Sequence, residues 1–393
     1  MFASRTHWRL EPNRLSQALD EHRRSGRDLF DLTASNPTEC ALTYPSEEIL
    51  EALADPRALS YRPESKGLRE AREAVSGYYR GRAGFSGQGG EVDPERILLA
   101  SGTSEAYSHI FRLLCEPGDE ILAPAPSYPL FEFLADIADV RLVSYPLLYD
   151  HGWQLDFASL RQALTDRSRA VLVVHPNNPT GSFVKAGEAA EMAEICATRE
   201  MAIVADEVFL DYSPGAQPAR TFAFENRALT FTLSGLSKIS LLPQMKLAWT
   251  AVSGPESAAR PAVDRLEIIA DTYLSPSTPV QLALPKLLGL RQGLQAQLQS
   301  RTSKNLTFLD EMLRSSKCLS RLDREGGWYA ILRAPATGAD EDLAVALLER
   351  AGVYVHPGHF FNFSGDGFVV VSLITPENTF QAGIARIEKF FSA

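Results

Sequence analysis

The sequence predicts an α/β protein in which a mostly parallel central sheet is flanked by helices and joined to a second, smaller α+β domain. Three observations lead there. The chain has 393 residues, more than one hydrophobic core usually organises, so two structural domains are the default. Five short β-type runs are each followed by a polar or Gly/Pro loop and then by a helical pattern, the signature of βα units and a parallel sheet. After Pro279 the pattern changes to long helical stretches with only a few strands.

In chain order, residues 1–45 lack a core of their own and are expected to pack against the C-terminal part. The five β runs are Ile97 to Ala100, Glu120 to Ala123, Val171 to Val174, Ala202 to Ala205 and Leu229 to Leu233. Helices fit between them: Ser104 to Cys115 carries apolar residues at three- and four-residue spacing, Asp156 can cap a helix through Leu164, and Ala186 to Thr198 is rich in helix formers. The Gly-rich stretch Gly81 to Gly90 reads as a surface loop. Beyond Pro279, strands are expected around Gly327 to Leu332 and Phe368 to Leu373, with a closing helix from Glu377. This gives a large domain over 46–278 and a small one formed by 1–45 and 279–393.

Composition narrows the function classes. Hydrophobic residues make up 45% and charged residues 22%, the balance of a soluble globular protein. A net charge of -10 without a long Lys/Arg run argues against nucleic acid or an anionic membrane as partner and for a small molecule. Cys40, Cys115, Cys196 and Cys318 are scattered without a C-x-x-C spacing, so neither a metal site nor a disulfide framework is expected. The opening Met1 to Arg9 breaks into charges before any apolar run, and no stretch is long enough to span a bilayer, so a cytoplasmic enzyme is the expectation.

In an open α/β sheet, ligands bind beyond the carboxyl ends of the parallel strands. The residues after the five runs are unusually polar: Ser101-Gly102-Thr103-Ser104, Ser127-Tyr128, Asn177-Asn178-Pro179-Thr180-Gly181, Asp206-Glu207 and Ser237-Lys238. The first opens a helix, and a helix N-terminus with glycine and small hydroxyls offers free N–H donors to a phosphate. Alone, that stretch favours a plain N-cap by Ser101 or Thr103. Lys238 stands among small and apolar neighbours, where burial would lower its pKa and free the amine for imine formation. Asp206 sits at the mouth of an apolar strand, and taken singly it would be a helix cap or an ion-pair member. Phosphate cradle, amine, carboxylate and a stackable Tyr128 together suit pyridoxal 5′-phosphate, which needs a lysine imine and an acidic partner at its ring nitrogen.

With those residues in place, the sequence resembles the class I/II aminotransferases, the pyridoxal-phosphate enzymes of fold type I, along nearly its whole length. Asn178-Pro179-Thr180-Gly181, Asp206-Glu207-Val208 and Ser237-Lys238 match that family in identity, order and spacing. The resemblance implies that Lys238 forms the Schiff base with the cofactor and then shuttles protons. Asp206 pairs with the ring nitrogen, Asn178 bonds the ring 3′-oxygen and Tyr128 stacks on the ring. It implies that Ser101, Gly102, Thr103, Ser237 and Lys246 hold the phosphate. It also implies a homodimer in which Tyr61 reaches the neighbouring subunit's site, with Asn36 and Tyr61 on the substrate side, although Asn36-Pro37-Thr38 read alone is a turn.

Three positions depart from the family pattern. Lys246 stands where an arginine usually meets the phosphate, keeping charge but losing the bidentate fork. Phe209 stands where a tyrosine usually donates to the ring 3′-oxygen, which should raise the pKa of the cofactor's imine. Val370 stands where a carboxylate-binding arginine belongs, leaving Arg62 and Lys66 as substitutes or implying a substrate without an α-carboxylate there. Gly327-Trp328-Tyr329 and His356 are expected nearby, His356 as ordinary packing. The reading is an aminotransferase acting on an amino donor and a keto acceptor, the alternative a pyridoxal-phosphate lyase, decarboxylase or synthase. A catalytically silent regulator is not expected, because the residues ahead of 46 show no helix-turn-helix pattern, nor is a nucleotide-binding enzyme, because no G-x-G-x-x-G or G-x-x-x-x-G-K-[ST] follows a strand.

Overall fold

A computed structural model describes residues 1–87, 89–213 and 219–392. Its centre is an eight-stranded sheet. In chain order the strands are Ile97–Ala100 (β1), Glu120–Ala125 (β2), Arg141–Tyr149 (β3), Trp153–Leu155 (β4), Ser168–Val174 (β5), Ala202–Asp206 (β6), Thr230–Gly235 (β7) and Ala248–Ser253 (β8). They lie side by side in the order β1-β8-β7-β6-β5-β2-β3-β4. The run from β7 to β3 is parallel, while β8 is antiparallel to both its neighbours and β4 to β3.

The five runs read from sequence are five of these strands, and their near-continuous apolar character has a physical cause. A parallel sheet is covered on both faces, so consecutive residues must all be apolar. Leu122, Val171, Val173 and Ile203 face one core with Met192 and Ala193 of the Ala186–Thr198 helix. Their neighbours Ile121, Leu172 and Val204 face the other core with Ile110 and Phe111 of the Thr103–Leu114 helix. Asp156 caps the Phe157–Ala163 helix, accepting from the Ser159 N–H at 3.0 Å. Within Gly81 to Gly90, Ala83 forms an isolated bridge with Gly89; Gln88 lies outside the described residues.

A second sheet of four antiparallel strands, Ser320–Arg321 (β9), Tyr329–Arg333 (β10), His356–Pro357 (β11) and Phe368–Ser372 (β12), runs in the order β9-β10-β12-β11. The N-terminal segment joins it: Phe30–Asp31 pairs in parallel with Val353–Tyr354, and Leu15, Ala18 and Leu19 enter the core that holds Val369, Val371 and Phe380. The first residues go elsewhere. Arg5 bonds Asp139, and Trp8 donates to Asp136 at 2.8 Å, both by the Phe131–Ile137 helix beside the large sheet.

One 38-residue helix, Thr278–Ser315, connects the two bodies. Its Val280, Leu284 and Leu287 pack with the β1 side of the large sheet, Leu294 and Leu298 near the middle, and Leu309 in the small-sheet core. Among the described residues no helix is long and apolar enough to cross a membrane, and no group of three His, Cys, Asp or Glu residues could hold a metal ion.

Candidate active site

Parallel strands direct their carboxyl ends to one edge of the sheet, and there a cavity of about 330 Å³ opens between the two sheets. Thr103, Tyr128, Asn178, Asp206, Ser237, Lys238 and Lys246 all line it, together with Ser35, Phe209 and Tyr329. Seven of the candidate cofactor-binding residues read from sequence therefore share one space.

Asp206 is the last residue of β6, 6% exposed. Its Oδ1 accepts from the Val208 N–H at 3.1 Å and its Oδ2 from the Tyr107 hydroxyl at 2.8 Å. Burial pushes the carboxyl's pKa up, opposed by those two hydrogen bonds and by the charge of Lys238. Lys238 follows β7 on a single helical turn, Leu236–Ile239. Burial pulls its amine down to about 8, with Asp206 and Cys40 acting the other way. The Nζ donates to the Ser35 carbonyl at 3.3 Å and lies 4.8 Å from the ring centroid of Trp328 and 5.7 Å from that of Phe209. Tyr212 donates its hydroxyl to the Lys238 carbonyl at 2.6 Å and so fixes the turn.

The anion end is built on a helix. Gly102 is the N-cap of Thr103–Leu114 and provides no side-chain cap, so the first-turn N–H groups keep their dipole for a ligand. The Lys246 Nζ lies 3.5 Å from where a Cβ on Gly102 would stand, which places an ammonium beside that helix end. Lys246 itself adopts a left-handed backbone, φ 51°. Asn178, buried, turns to the same cavity with an Oδ1 that has no partner.

Two expectations meet a different geometry. Ser101 does not offer its hydroxyl or its N–H to an anion: both donate to the Glu105 carboxylate at 2.5 Å, because Glu105 reaches back one turn along the helix. Asn36 closes the turn that its sequence suggests, its Oδ1 accepting from the Thr38 N–H at 3.1 Å and hydroxyl at 2.7 Å, and the neighbouring Ser35 lines the cavity instead. Tyr61, expected to reach a neighbouring subunit, is 75% exposed and does not line this chain's own cavity.

Val370 is wholly buried in the middle of β12, paired with Ile331 on one side and His356 on the other. The His356 ring packs against Tyr354, Phe360 and Phe361, and burial lowers its pKa. Lys66 is engaged with Glu95 at 2.5 Å and Glu267 at 3.9 Å, and Arg62 is exposed. Neither lines the cavity. Phe209, buried, does.

Tyr107, Tyr212 and Ser35 were missed by sequence reasoning. Tyr107 had a signal, four residues after Thr103 and so on the same helix face. Tyr212 and Ser35 had none, since only the fold brings them to Lys238.

Known proteins similar to this chain agree with one another. A family model described as aminotransferase class I and II matches residues 27–387. An alanine aminotransferase of Mycobacterium bovis is 27% identical over 380 residues, 93% of this chain and 86% of that protein. A glutamate-pyruvate aminotransferase of Haemophilus influenzae is 26% identical over 381 residues, 93% of this chain and 91% of its own length. Among solved structures, an alanine aminotransferase from Pyrococcus furiosus superposes with a TM-score of 0.87 at 22% identity over 100% of both chains.

Proposed function

The chain belongs to the class I and II aminotransferases, which makes it a transferase, and from that premise we propose that it binds pyridoxal 5′-phosphate through Lys238 and moves an amino group between a small amino donor and a keto acceptor. The observation that carries the proposal is the relation of Lys238 to Asp206. Asp206, buried, and Lys238, half-buried, line one cavity and influence each other's pKa, yet among the described residues no ion pair joins them. Buried charges left apart are costly unless something lies between them.

The residues present fit that cofactor. The orphaned Asn178 Oδ1, the uncapped helix at Gly102 with Lys246 beside it, and a carboxylate without a cation are what a ring with a phosphate arm and a protonated nitrogen would satisfy. When bound, pyridoxal phosphate supplies an electrophilic carbon and a ring that accepts electrons from the substrate carbon. The chain's own groups do the rest. Asp206, braced by Tyr107 and the Val208 N–H, holds a proton on the ring nitrogen. Asn178 fixes the ring's polar edge and Tyr128 covers its face. Thr103, Ser237 and Lys246 anchor the phosphate with the helix N-terminus. The Lys238 amine, near 8, exchanges protons close to neutral pH, where a base works best.

On the substrate side the names of the relatives suggest alanine, glutamate or pyruvate. Val370, buried beside Ile331, offers no cation to a carboxylate. We divide the chain into a large domain, 46–278, and a small one of 1–45 and 279–393. We further propose a homodimer, with Tyr61 and Leu59, 75% and 93% exposed, seated on the second copy and Tyr61 completing its phosphate site.

The test is reconstitution with pyridoxal phosphate, borohydride reduction and peptide mapping, which should place the label on Lys238. Label on another lysine would sink the assignment. Titrating the holoenzyme with a panel of amino acids and of plain amines, followed by the cofactor spectrum, identifies the donor. Light scattering decides the dimer.

A further inference from the structure

The free Lys238 ammonium has an unusual set of neighbours. Among the described residues no carboxylate pairs with it; its one hydrogen bond is to the Ser35 carbonyl at 3.3 Å. What faces it instead is aromatic. Trp328 presents its ring 4.8 Å away and Phe209 presents its ring 5.7 Å away. The two rings meet edge to face, 5.1 Å apart at 78°, and Tyr212 adds a second edge contact to Trp328 at 5.2 Å. Trp328 is held there by the backbone, its carbonyl accepting from the Leu373 N–H at 2.7 Å and the preceding Gly327 taking a φ of 74° that favours glycine.

The indole N–H of Trp328 is buried without a partner. A wholly buried tryptophan normally finds an acceptor for that group, and an unmade bond is a penalty. The ring is therefore oriented for its face and not for its donor, and the face meets a cation. A desolvated ammonium over tryptophan is the strongest arrangement of this kind.

We propose that Trp328, assisted by Phe209, is a positioning residue that receives the free Lys238 ammonium on its ring face and holds it beside the reacting carbon between proton transfers. The proposal rests on the reading of Lys238 given above. It assigns a role to two residues at once: an aromatic surface stabilises the charged amine without a carboxylate that would trap it. It also explains how Phe209, lacking a hydroxyl, serves the site.

The experiment reads the amine itself. In the full-length apoenzyme, the pH dependence of Lys238 labelling by a small electrophile, quantified by peptide mass spectrometry, gives its pKa. Biosynthetic replacement of the four tryptophans by mono-, di- and trifluorinated analogues weakens the ring's negative face without changing its shape. The Lys238 pKa should fall stepwise with fluorine number. Trp328→Leu should lower it by roughly 0.4–1.5 pH units, and Trp328→Phe should restore most of the loss. A merely structural tryptophan would leave the titration flat across the fluorinated series, and that result overturns the proposal even if Trp328→Leu fails to fold. Cofactor attached to another lysine would instead defeat the function proposed above while leaving this titration readable.

Discussion

The two walls of the cavity are built on opposite plans. The wall at the strand ends of the large sheet is crowded with polar groups: Asp206 braced by Tyr107, Lys238 on a turn fixed by Tyr212, Lys246 beside the Gly102 helix end. The small sheet contributes Tyr329 to the cavity lining, and behind it Val370 and Ile331 lie side by side, buried in the core. The difference teaches that the ionisable groups are carried by the large sheet, while the small domain supplies rings, Trp328 toward Lys238 and Tyr329 toward the cavity. Changes on the first wall should strike the cofactor spectrum and turnover together, and changes at Tyr329 on the second should alter substrate affinity alone.

The sharpest way to break this division is Lys238→Ala. Transamination should fall on the order of 10⁴-fold or more, and the borohydride-trappable chromophore should vanish; a variant that keeps both would end the argument. Asp206→Asn removes the charge and keeps the shape. It should lower kcat about 10²–10³-fold, with weakened cofactor retention on gel filtration.

On the other wall, Tyr329→Phe should raise KM for the true donor about three- to tenfold with an unchanged absorption spectrum. A shifted spectrum would blur the two roles. Phe209→Tyr restores a donor to the polar wall, and the chromophore's spectral pKa should drop by about one unit, the size of a single hydrogen bond.

The smallest effect concerns the carboxyl next to Asp206. Glu207 is wholly buried, bonded by the Thr221 hydroxyl at 2.6 Å and the Phe222 N–H at 2.7 Å, and burial pushes it from 4.5 up to about 8. Between those values the folded protein keeps a proton that the unfolded chain has lost, so stability declines as pH rises through that window. Thermal melts across it should show the decline in the wild type relative to Glu207→Gln, and parallel curves would refute the shift.

How much of this was legible follows from the range of the interactions. The strand runs and the helices Ala186–Thr198 and Glu377–Ser392 were readable because their signals are local: apolar runs, Asp156 as a cap, helix formers in series. The candidate site was readable because each member follows a strand. The β8 strand was not, since Ala248-Trp249-Thr250 has no alternation to mark it. Ser101 misled because the carboxylate that occupies it lies one turn ahead and competes with any anion. The placing of Trp328 over Lys238 spans ninety positions of chain, a contact that only the closed fold creates.

The 38-residue helix that enters three cores has a mechanical corollary. At about 1.5 Å per residue it is a rod of about 57 Å, anchored at both ends and shared by both bodies, which therefore cannot swing like beads on a string. Any narrowing of the cleft must flex that rod, and its softest stretch is where Gly289 and Gly293, with nothing within 4 Å of a would-be side chain, follow Pro285. Gate width and rod curvature are thus one coordinate.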